Sequence, residues 1–593
     1  MTDSHNHPNA AELERRYRAE RDKRLSGGTT GKYLAPAEAL AHYLKDPNQP
    51  SPNIREPRTE SVDVVIIGAG FGGIQSAVEL KKAGIHNFRI IDKAGDVGGV
   101  WYWNRYPGIS CDIEAYIYMP LLEDMGYMPS NKYVPGAEIF DYAKSIANRF
   151  NLYPNLLLRT FVDAVIWNHG ASRWTISTRQ GDKIHARFVM VSTGVLQSVR
   201  LPGIPGIETF KGHSFHTSRW DYEYTGGDST GGLTKLKDKR VGIIGTGASA
   251  VQCIPFLGEY SKELFVFQRT PAAVPVRNNS NTNPEWFKSQ QQGWQIKRMQ
   301  NFNDIVSGRQ TAEDLVRDGW TEVLGNIGIS LTVHGDDAEL RQSADFEYME
   351  KVRARIDEIV ADPKTASALK PWYNIMCKRP CFHDSYLHTF NRSNVTLVDT
   401  EGRGVQKISE RAVWANGKPY EVDCLIFASG FDFQTPDMAK RNGFEIYGRD
   451  GHSLTEKWST EIKTLFGHFN RGFPNLFIQT ANQAGLTPNV THILGETARQ
   501  FAYMVEYCKE KKILTFEPLA SAEDDWLRKL KALSGTRKRY DIECTPSYYN
   551  NDGNPQLDAG LNAFYPGGPA EFIDILHEWR TSNQFLGFEV TYE

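Results

Sequence analysis

The chain has 593 residues, more than one hydrophobic core usually organises, so we expect two or three domains. Its apolar share of 40% and its charged share of 23% are those of an ordinary globular protein. A formal net charge of -3 argues against a general binder of nucleic acids or anionic membranes, because such partners select basic surfaces. We therefore expect small molecules as partners.

The N-terminal region is predicted to precede the main domains as an extension. Residues 11–25 place Glu and Arg at i,i+4 spacing, which predicts an exposed helix. A proline-rich passage at residues 46–58 predicts a linker, and the folded core should begin near Ser61. No apolar run resembles a secretory signal, and none approaches the roughly 18 to 20 residues of a membrane span. The sequence therefore predicts a cytoplasmic protein.

The first nucleotide-binding motif follows a buried strand. Residues 62–67, VDVVII, are apolar and lead directly into GAGFGG and a helical pattern. In such a turn three small positions let a pyrophosphate approach the backbone, and Gly68, Gly70 and Gly73 fill them. Asp92 ends the next strand, where a carboxylate accepts hydrogen bonds from ribose hydroxyls and repels a 2'-phosphate. This unit favours FAD or NAD.

A second copy of the strand, turn, helix and strand occurs later in the chain. Gly245, Gly247 and Ala250 fill the motif positions, since alanine is permitted at the third. The residue at the end of the following strand is Arg269, and Thr270 comes next. A guanidinium presents a fork of donors that suits a phosphate group. This unit favours NADPH.

Two later regions carry weaker patterns. Residues 276–370 are polar and aromatic without strand alternation, and one helical face within them ends at Asp362-Pro363, which predicts a helical insertion in the second domain. The run DCLIFASGFD at residues 423–432 predicts a further strand, and a helix-rich region follows it.

The seven cysteines are odd in number and scattered, which fits a reducing compartment better than a disulfide framework. Cys377 and Cys381 are a close pair, but their C-x-x-x-C spacing matches neither a metal-binding knuckle nor a redox motif. We therefore predict buried cysteines without chemistry and no metal site. The lack of a C-x-x-C or C-x-x-x-x-C pair also disfavours a flavin disulfide reductase.

Three further strings resemble those of the type I Baeyer-Villiger monooxygenases. They are FKGHSFHTSRWD at residues 210–221, DVGGVWYWNRYPGISCD at 96–112 and KRPCFHDSYLHTFNRSNV at 378–395. The first lies between the two glycine motifs, and the resemblance covers most of residues 60–570. Flavin-containing N- or S-oxygenases have a shorter form of the first string without its Trp-Asp pair. The matching residues of that string are Phe210, Gly212, His216, Trp220 and Asp221.

The resemblance implies an α/β fold with two Rossmann-like dinucleotide-binding domains, for FAD and NADPH, a helical insertion in the NADPH domain and an N-terminal helical extension. We expect residues 1–55 to form the extension and linker, and 56–200 the first part of the FAD domain. Residues 201–400 would form the NADPH domain, with its insertion at about 276–370. Residues 401–593 would complete the FAD domain and the C-terminal region.

The resemblance also implies the reaction. In this family NADPH reduces FAD, O2 then yields a flavin peroxide, and a ketone becomes an ester or lactone. Arg379 is expected to be catalytic, because a fixed cation stabilises the peroxide anion and the oxyanion that follows, while Asp112 holds the arginine in place. The expected cofactor-binding residues are Gly68, Gly70, Gly73, Asp92, Gly99, Val100, Trp101, Asp112, Tyr118, Val162, Gly245, Thr246, Gly247, Ala248, Ser249, Ala250, Arg269, Thr270, Lys378 and Arg379.

Several of these residues have a second interpretation. Arg379 could form a surface salt bridge, and Asp112 could cap a helix. For His216 we prefer a structural or gating role to that of a general base. Trp101 is expected beside the cofactor, whereas Trp103 could equally be a core residue.

Two other functions stay open at this stage, a flavin-dependent N- or S-oxygenase and a non-catalytic flavoprotein that senses NADPH. The N-terminal extension and residues 120–136 resemble those of members that act on bulky cyclic, macrocyclic or steroid ketones. In SYYNNDGNP, Tyr548 stands where relatives often have a tryptophan, in a loop that covers the nicotinamide. The oligomeric state is left open, a monomer included.

Overall fold

The protein is described here from a computed structural model. The residues described are 10–26, 33–34, 38–49, 54–326, 338–432, 437–479, 482–534, 542–553 and 564–593.

Strands and helices alternate along most of the chain. The strands are β1 (Tyr33–Leu34), β2 (Thr59–Ile67), β3 (Phe88–Ile91), β4 (Leu156–Leu157), β5 (Val162–Asn168), β6 (Arg173–Thr178), β7 (Lys183–Val191), β8 (Leu201–Pro202), β9 (His213–His216), β10 (Arg240–Ile244), β11 (Glu263–Gln268), β12 (Val395–Asp399), β13 (Lys407–Ile408), β14 (Ala412–Ala415), β15 (Lys418–Glu421), β16 (Cys424–Phe427), β17 (Glu445–Tyr447), β18 (Leu476–Ile478), β19 (Ile513–Pro518) and β20 (Phe588–Tyr592). The helices are α1 (Ala10–Ser26), α2 (Phe71–Lys82), α3 (Val100–Trp103), α4 (Ala115–Tyr118), α5 (Leu122–Met125), α6 (Gly136–Arg149), α7 (Tyr222–Thr225), α8 (Ala248–Tyr260), α9 (Pro284–Lys288), α10 (Trp294–Val306), α11 (Gly319–Thr321), α12 (Ala338–Ile359), α13 (Pro363–Leu369), α14 (Tyr386–Thr389), α15 (Met438–Asn442), α16 (Leu454–Trp458), α17 (Val490–Glu510), α18 (Ala520–Leu533) and α19 (Gly568–Ser582).

The first large sheet has the order β17-β5-β6-β7-β2-β3-β4, and β18 pairs with β7. Strand β2 lies parallel to both β3 and β7, so its side chains are covered on both faces. Val64 and Ile66 enter one apolar cluster, whereas Val65 and Ile67 enter a second. This double burial explains why residues 64–67, at the end of the strand that leads into the glycine turn, are all apolar.

The second large sheet has the order β12-β11-β10-β16-β9, and every pair in it is parallel. Strand β16 is the predicted run at residues 423–432, and it pairs with β10 and β9. The chain therefore returns to the first sheet between β16 and β17, later than the predicted boundary at residue 401. The small antiparallel sheet β13-β14-β15 lies in the same stretch.

The expected α/β architecture with two sheets, each with a glycine turn after a central strand, is confirmed. Between β11 and β12 the described residues contain helices and no strand, as the predicted insertion requires. Asp362 caps α13 by accepting from the backbone N–H of Thr365, and Pro363 begins that helix. The Asp-Pro pair therefore starts a new helix just after α12 has ended.

The N-terminal extension forms helix α1, which packs against the insertion. Leu13 is buried, the ring of Tyr17 meets that of Phe346 edge-on at 5.3 Å, and Arg16 lies over Trp372 at 3.4 Å. The predicted i,i+4 ion pairs are present, one exposed between Arg18 and Glu14 and one largely buried between Arg24 and Glu20. The helix is thus anchored along its length and does not extend freely.

The cysteine prediction was wrong at one point. Cys377 and Cys544 form a disulfide across 167 residues of sequence. Spacing rules test only neighbours in the sequence, and these two cysteines are brought together by the fold. Cys381, the other member of the close pair, is a buried free thiol as predicted.

None of the described helices combines the length and apolar character needed to cross a membrane.

Candidate active site

The two glycine turns have the same backbone geometry. Gly68 and Gly245 both have φ of +115°, and a Cβ at these positions would lie 2.2 Å and 2.5 Å from the carbonyl oxygens of Ser192 and Ala428. At Gly73 a Cβ would lie 1.9 Å from the carbonyl oxygen of Gly68. These positions require glycine, so each strand turns sharply into the helix that follows.

Both turns expose the N-terminus of a helix. The N-caps of α2 and α8 are Gly70 and Gly247, and neither supplies a side-chain cap, so the first N–H groups are available to an anion. Ala248 and Ser249 form the first turn of α8, and buried Ala250 takes the place that Gly73 has in α2. Two cradles of this kind fit the pyrophosphates of two dinucleotides.

Asp92 braces the first turn. Its carboxylate accepts hydrogen bonds from the backbone N–H of Ala69 at 2.6 Å and of Ala94 at 2.8 Å, and burial raises its pKa. The carboxylate thus lies at the end of β3 beside the glycine turn. Its contact with a ribose stays a prediction.

A second group of predicted cofactor residues surrounds the first turn. Gly99, with φ of +56°, lies so close to Gly70 that a Cβ would come 2.8 Å from its Cα. Val100 begins α3, and the indole N–H of Trp101 donates to the hydroxyl of Tyr118 at 3.1 Å. The structure brings these residues together at the glycine turn.

The contact of Val162 with the cofactor stays a prediction. Val162 begins β5 and packs in the apolar cluster that contains Val65 and Ile67, whereas Trp101 and Tyr118 belong to the other cluster.

The second turn gathers the predicted phosphate ligands. The hydroxyl of Thr246 donates to the carbonyl oxygen of Thr270 at 2.8 Å, which ties the turn to the end of β11. Lys378 lies close enough to Arg269 that the guanidinium, after burial, helps to lower the lysine pKa to about 7. Asp552 faces this group, 3.9 Å from Arg269. The side chains of Thr246, Arg269 and Lys378 therefore lie together at the end of β11.

Arg379 and Asp112 form a two-pronged ion pair across 267 residues of sequence. Nε of Arg379 donates to Oδ2 of Asp112 at 3.0 Å, and Nη2 donates to Oδ1 at 2.7 Å. The guanidinium also lies 4.7 Å from the ring centre of Trp320. The carboxylate helps to raise the pKa of Arg379 well above its usual value despite burial. Because Glu114 is the N-cap of α4, the alternative in which Asp112 caps this helix is not observed.

His216 is held as a neutral structural group. It is fully buried, its Nδ1 accepts from the backbone N–H of Ser218 at 3.2 Å, and burial together with Arg219 lowers its pKa to about 3. An imidazole with so low a pKa is a poor base near neutral pH. This geometry supports the structural role that we preferred.

The other residues of the string at 210–221 contact one another and helix α7, which follows the string. The indole N–H of Trp220 donates to the hydroxyl of Thr225 at 3.1 Å, and Asp221 caps α7 while pairing with His213. At Gly212 a Cβ would meet the ring of Phe210 at 2.5 Å. These contacts shape the segment.

This string and helix α7 after it also join the two nucleotide-binding units. The guanidinium of Arg219 stacks over Trp103 at 4.1 Å, and the hydroxyl of Tyr222 donates to the carbonyl oxygen of Arg105. Trp103, whose role the sequence left open, is therefore part of the contact between the units.

Sequence reasoning missed several residues of the site. Trp320 comes from the helical insertion, and Asp552 comes from the C-terminal loop, where it pairs with Arg200 at 2.6 Å. In that loop Tyr548 and Tyr549 lie near Arg379, and the carbonyl oxygen of Pro546 accepts from Lys378 at 2.7 Å. Their segments carry no motif, so only the resemblance at SYYNNDGNP offered a signal.

A family model described as pyridine nucleotide-disulphide oxidoreductase matches residues 65–284. Pentalenolactone D synthase of Streptomyces exfoliatus is 47% identical over 588 residues, which cover 98% of this chain and 100% of that protein. Baeyer-Villiger monooxygenase ATR8 of Stachybotrys chlorohalonatus is 45% identical over 589 residues, which cover 98% of this chain and 94% of that protein.

Solved structures are similar over almost the same length. The polycyclic ketone monooxygenase of Thermothelomyces thermophila matches with a TM-score of 0.91 at 34% identity, covering 98% of this chain and 99% of that one. The complex of OTEMO with FAD and NADP matches with a TM-score of 0.75 at 28% identity, covering 91% of this chain and 100% of that one.

Proposed function

Because this chain belongs to the Baeyer-Villiger monooxygenases, we propose that it inserts oxygen into a bulky cyclic ketone, with Arg379 and Asp112 at the reacting atoms. It is an NADPH-dependent flavin monooxygenase with FAD as its flavin, and its product is an ester or lactone. The single observation that carries the residue assignment is the two-pronged Arg379–Asp112 pair.

When bound, FAD and NADPH supply the electrons and the activation of O2. The chain's own residues place these groups. The turn at Gly68 and the N-terminus of α2 would hold the FAD pyrophosphate, and the turn at Gly245 with α8 would hold that of NADPH. Arg269, Thr270 and Lys378 would hold the 2'-phosphate.

Arg379 would stabilise the negative charge that develops on oxygen as the ketone is attacked. A guanidinium keeps its charge at any relevant pH, and the two hydrogen bonds to Asp112 fix its plane. Trp320 covers one face of the guanidinium, which limits its rotation. A charge held still in this way costs little reorganisation when the reaction occurs.

The size of the substrate is inferred from the relatives. One is named a pentalenolactone D synthase, and one solved relative is a polycyclic ketone monooxygenase. The segment at residues 120–136, which resembles that of such members, packs against the insertion, since the backbone N–H of Leu122 donates to the side-chain oxygen of Gln295 of α10 at 2.9 Å. These observations favour a polycyclic ketone over a small one.

The purified protein is expected to be yellow, to oxidise NADPH in strong preference to NADH, and to add one oxygen atom to polycyclic ketones. The measurement is product mass across a panel of ketones, amines and sulfides, with NADPH consumption followed in parallel. Oxidised amines or sulfides with untouched ketones would support the N- or S-oxygenase. Bound flavin without NADPH consumption would support the non-catalytic flavoprotein that senses NADPH.

Lys378 should make the binding of NADP+ depend on pH. Its pKa is lowered to about 7 by burial and by the neighbouring Arg269 and Arg24, so it is mostly neutral at pH 8. A dianionic phosphate favours the charged lysine, so binding at pH 8 should take up about one proton, and affinity should fall by up to about tenfold per unit above pH 7. Titration calorimetry in two buffers of different protonation enthalpy measures this uptake.

The matched control for this titration is Lys378→Met, which should bind NADP+ weakly at every pH and take up no proton from this position. Equal affinity of the unmodified enzyme at pH 6.5 and pH 8.5 would contradict the assignment of Lys378 to the phosphate.

We also propose a cytoplasmic location, where the five described cysteines other than Cys377 and Cys544 would persist as thiols. Recovery of active enzyme in the cytosolic fraction supports this location, and recovery in the medium would contradict it.

A further inference from the structure

The last turn of helix α1 reaches the predicted phosphate ligands. Nε of Arg24 donates to the hydroxyl oxygen of Thr270 at 2.9 Å, and Arg24 is only 7% exposed. Arginine is rarely buried without a specific partner, and the rest of α1 is mostly exposed. An N-terminal extension thus contributes a buried cation to the end of β11.

Arg24 joins a cluster of positive charge. Both Arg24 and Arg269 lie close enough to Lys378 to disfavour its charged form, after the effect of burial. The carboxylates near this cluster are Glu20, 2.7 Å from Arg24, Asp552 of the C-terminal loop, and Asp399, whose charge interacts with that of Arg24. Asp552 makes its shorter ion pair with Arg200, at 2.6 Å, so the Arg269 guanidinium, 3.9 Å from Asp552, is available to an anionic ligand.

The hydrogen bond from Arg24 also limits the directions in which the Thr270 hydroxyl can donate its proton. A hydroxyl has one proton and two lone pairs, and here one lone pair accepts from Arg24. The Thr270 proton is left to donate in another direction. Arg24 itself uses Nε and Nη1 for its hydrogen bonds, and within the described residues Nη2 donates to no protein acceptor.

We propose that Arg24 is a positioning and specificity-determining residue for NADPH, which orients the Thr270 hydroxyl toward the 2'-phosphate and adds positive charge beside it. This inference rests on the proposed function, because it takes Arg269, Thr270 and Lys378 as the phosphate ligands. It assigns the N-terminal helix a part in choosing the reductant.

The alternative is that Arg24 only anchors α1. The helix has other anchors on the same side, because Nη1 of Arg21 donates to the carbonyl oxygen of Ile542 at 3.3 Å, and Leu13 is buried. Loss of an anchor would lower the affinity of the neighbouring site for all of its ligands to the same extent. Loss of a residue that recognises the phosphate would lower the affinity only for ligands that carry the 2'-phosphate.

The test compares two probes on the FAD-loaded enzyme by titration calorimetry, adenosine 2',5'-bisphosphate and AMP. Arg24→Met is expected to weaken the bisphosphate about tenfold or more, because charge-assisted hydrogen bonds are lost, and to change AMP binding less than twofold. In steady-state assays KM for NADPH should rise while kcat changes less than twofold, and the preference over NADH should fall. Arg18→Met, on the exposed face of α1, is the matched control and should match the unmodified enzyme.

Two further variants separate the possible outcomes. Thr270→Val removes the oriented hydroxyl, and adding Arg24→Met to it should cost less than Arg24→Met costs alone. Arg24→Lys should bind the bisphosphate more tightly than Arg24→Met does. If Arg24→Met does not fold, the single variants Thr270→Val and Arg24→Lys carry the test, and each should lose affinity for the bisphosphate but not for AMP. Equal losses for both probes, or no loss for either, would overturn the inference. If the unmodified enzyme binds the bisphosphate no better than AMP, the phosphate assignment in the proposed function fails instead.

Discussion

Replacing Arg379 with alanine is expected to lower ester formation by about 10² to 10³-fold or more while NADPH still reduces the flavin. The reason is that the guanidinium, held by Asp112, is positioned to stabilise negative charge on oxygen, whereas hydride transfer needs no such charge at this place. Anaerobic stopped-flow absorbance measures flavin reduction, and gas chromatography measures the ester. Reduction should stay within about tenfold of the unmodified enzyme, which is less than about 1.4 kcal/mol.

Two controls sharpen this experiment. Arg379→Lys keeps a charge but loses the two-pronged geometry, so it should retain only part of the activity. Arg411→Ala removes an exposed arginine and should leave ester formation unchanged. Ester formation by Arg379→Ala at the normal rate would refute the assigned role.

Replacing Arg298 with methionine is expected to destabilise the protein by about 3 to 5 kcal/mol, because it leaves an unpaired carboxylate in the interior. Nε and Nη2 of Arg298 both donate to Glu114, which is fully buried. This pair joins the segment just after Asp112 to α10 of the insertion. Urea unfolding followed by flavin fluorescence measures the loss.

The matched variants isolate the buried charge as the cause. The double variant Glu114→Gln/Arg298→Met removes both charges and should regain most of the lost stability. Arg309→Met breaks an exposed ion pair with Asp574 and should cost less than about 1 kcal/mol. Equal stability of Arg298→Met and the double variant would show that the buried charge is not the cause.

The parts of the site that depend on local sterics could be predicted from the sequence. At Gly68, Gly73 and Gly245 only glycine fits, and each lies in an unbroken order of strand, turn and helix. The same holds for the helical insertion, whose pattern lies within one continuous stretch. Local rules suffice for such features, because all the interacting atoms come from neighbouring residues.

Contacts between distant segments could not be predicted in this way. The Arg379–Asp112 pair was expected only from a family resemblance, since 267 residues separate its members. Arg24 and Trp320 come from segments without any motif, and their contacts depend on how α1 and the insertion pack. Strand β16 was predicted as a strand, but its place in the second sheet follows from its pairing with β9 and β10.

Because of the disulfide between Cys377 and Cys544, a preparation of this enzyme is chemically defined only when the oxidation state of these two cysteines is known. The disulfide links the residue before Lys378 to the loop that carries Tyr548 and Asp552, so it tethers that loop beside the reductant site. Oxidised and reduced preparations are then two covalent species that differ by two hydrogen atoms and share one sequence. The thiol content of every buffer thus belongs among the stated conditions of an affinity measurement, alongside pH and salt.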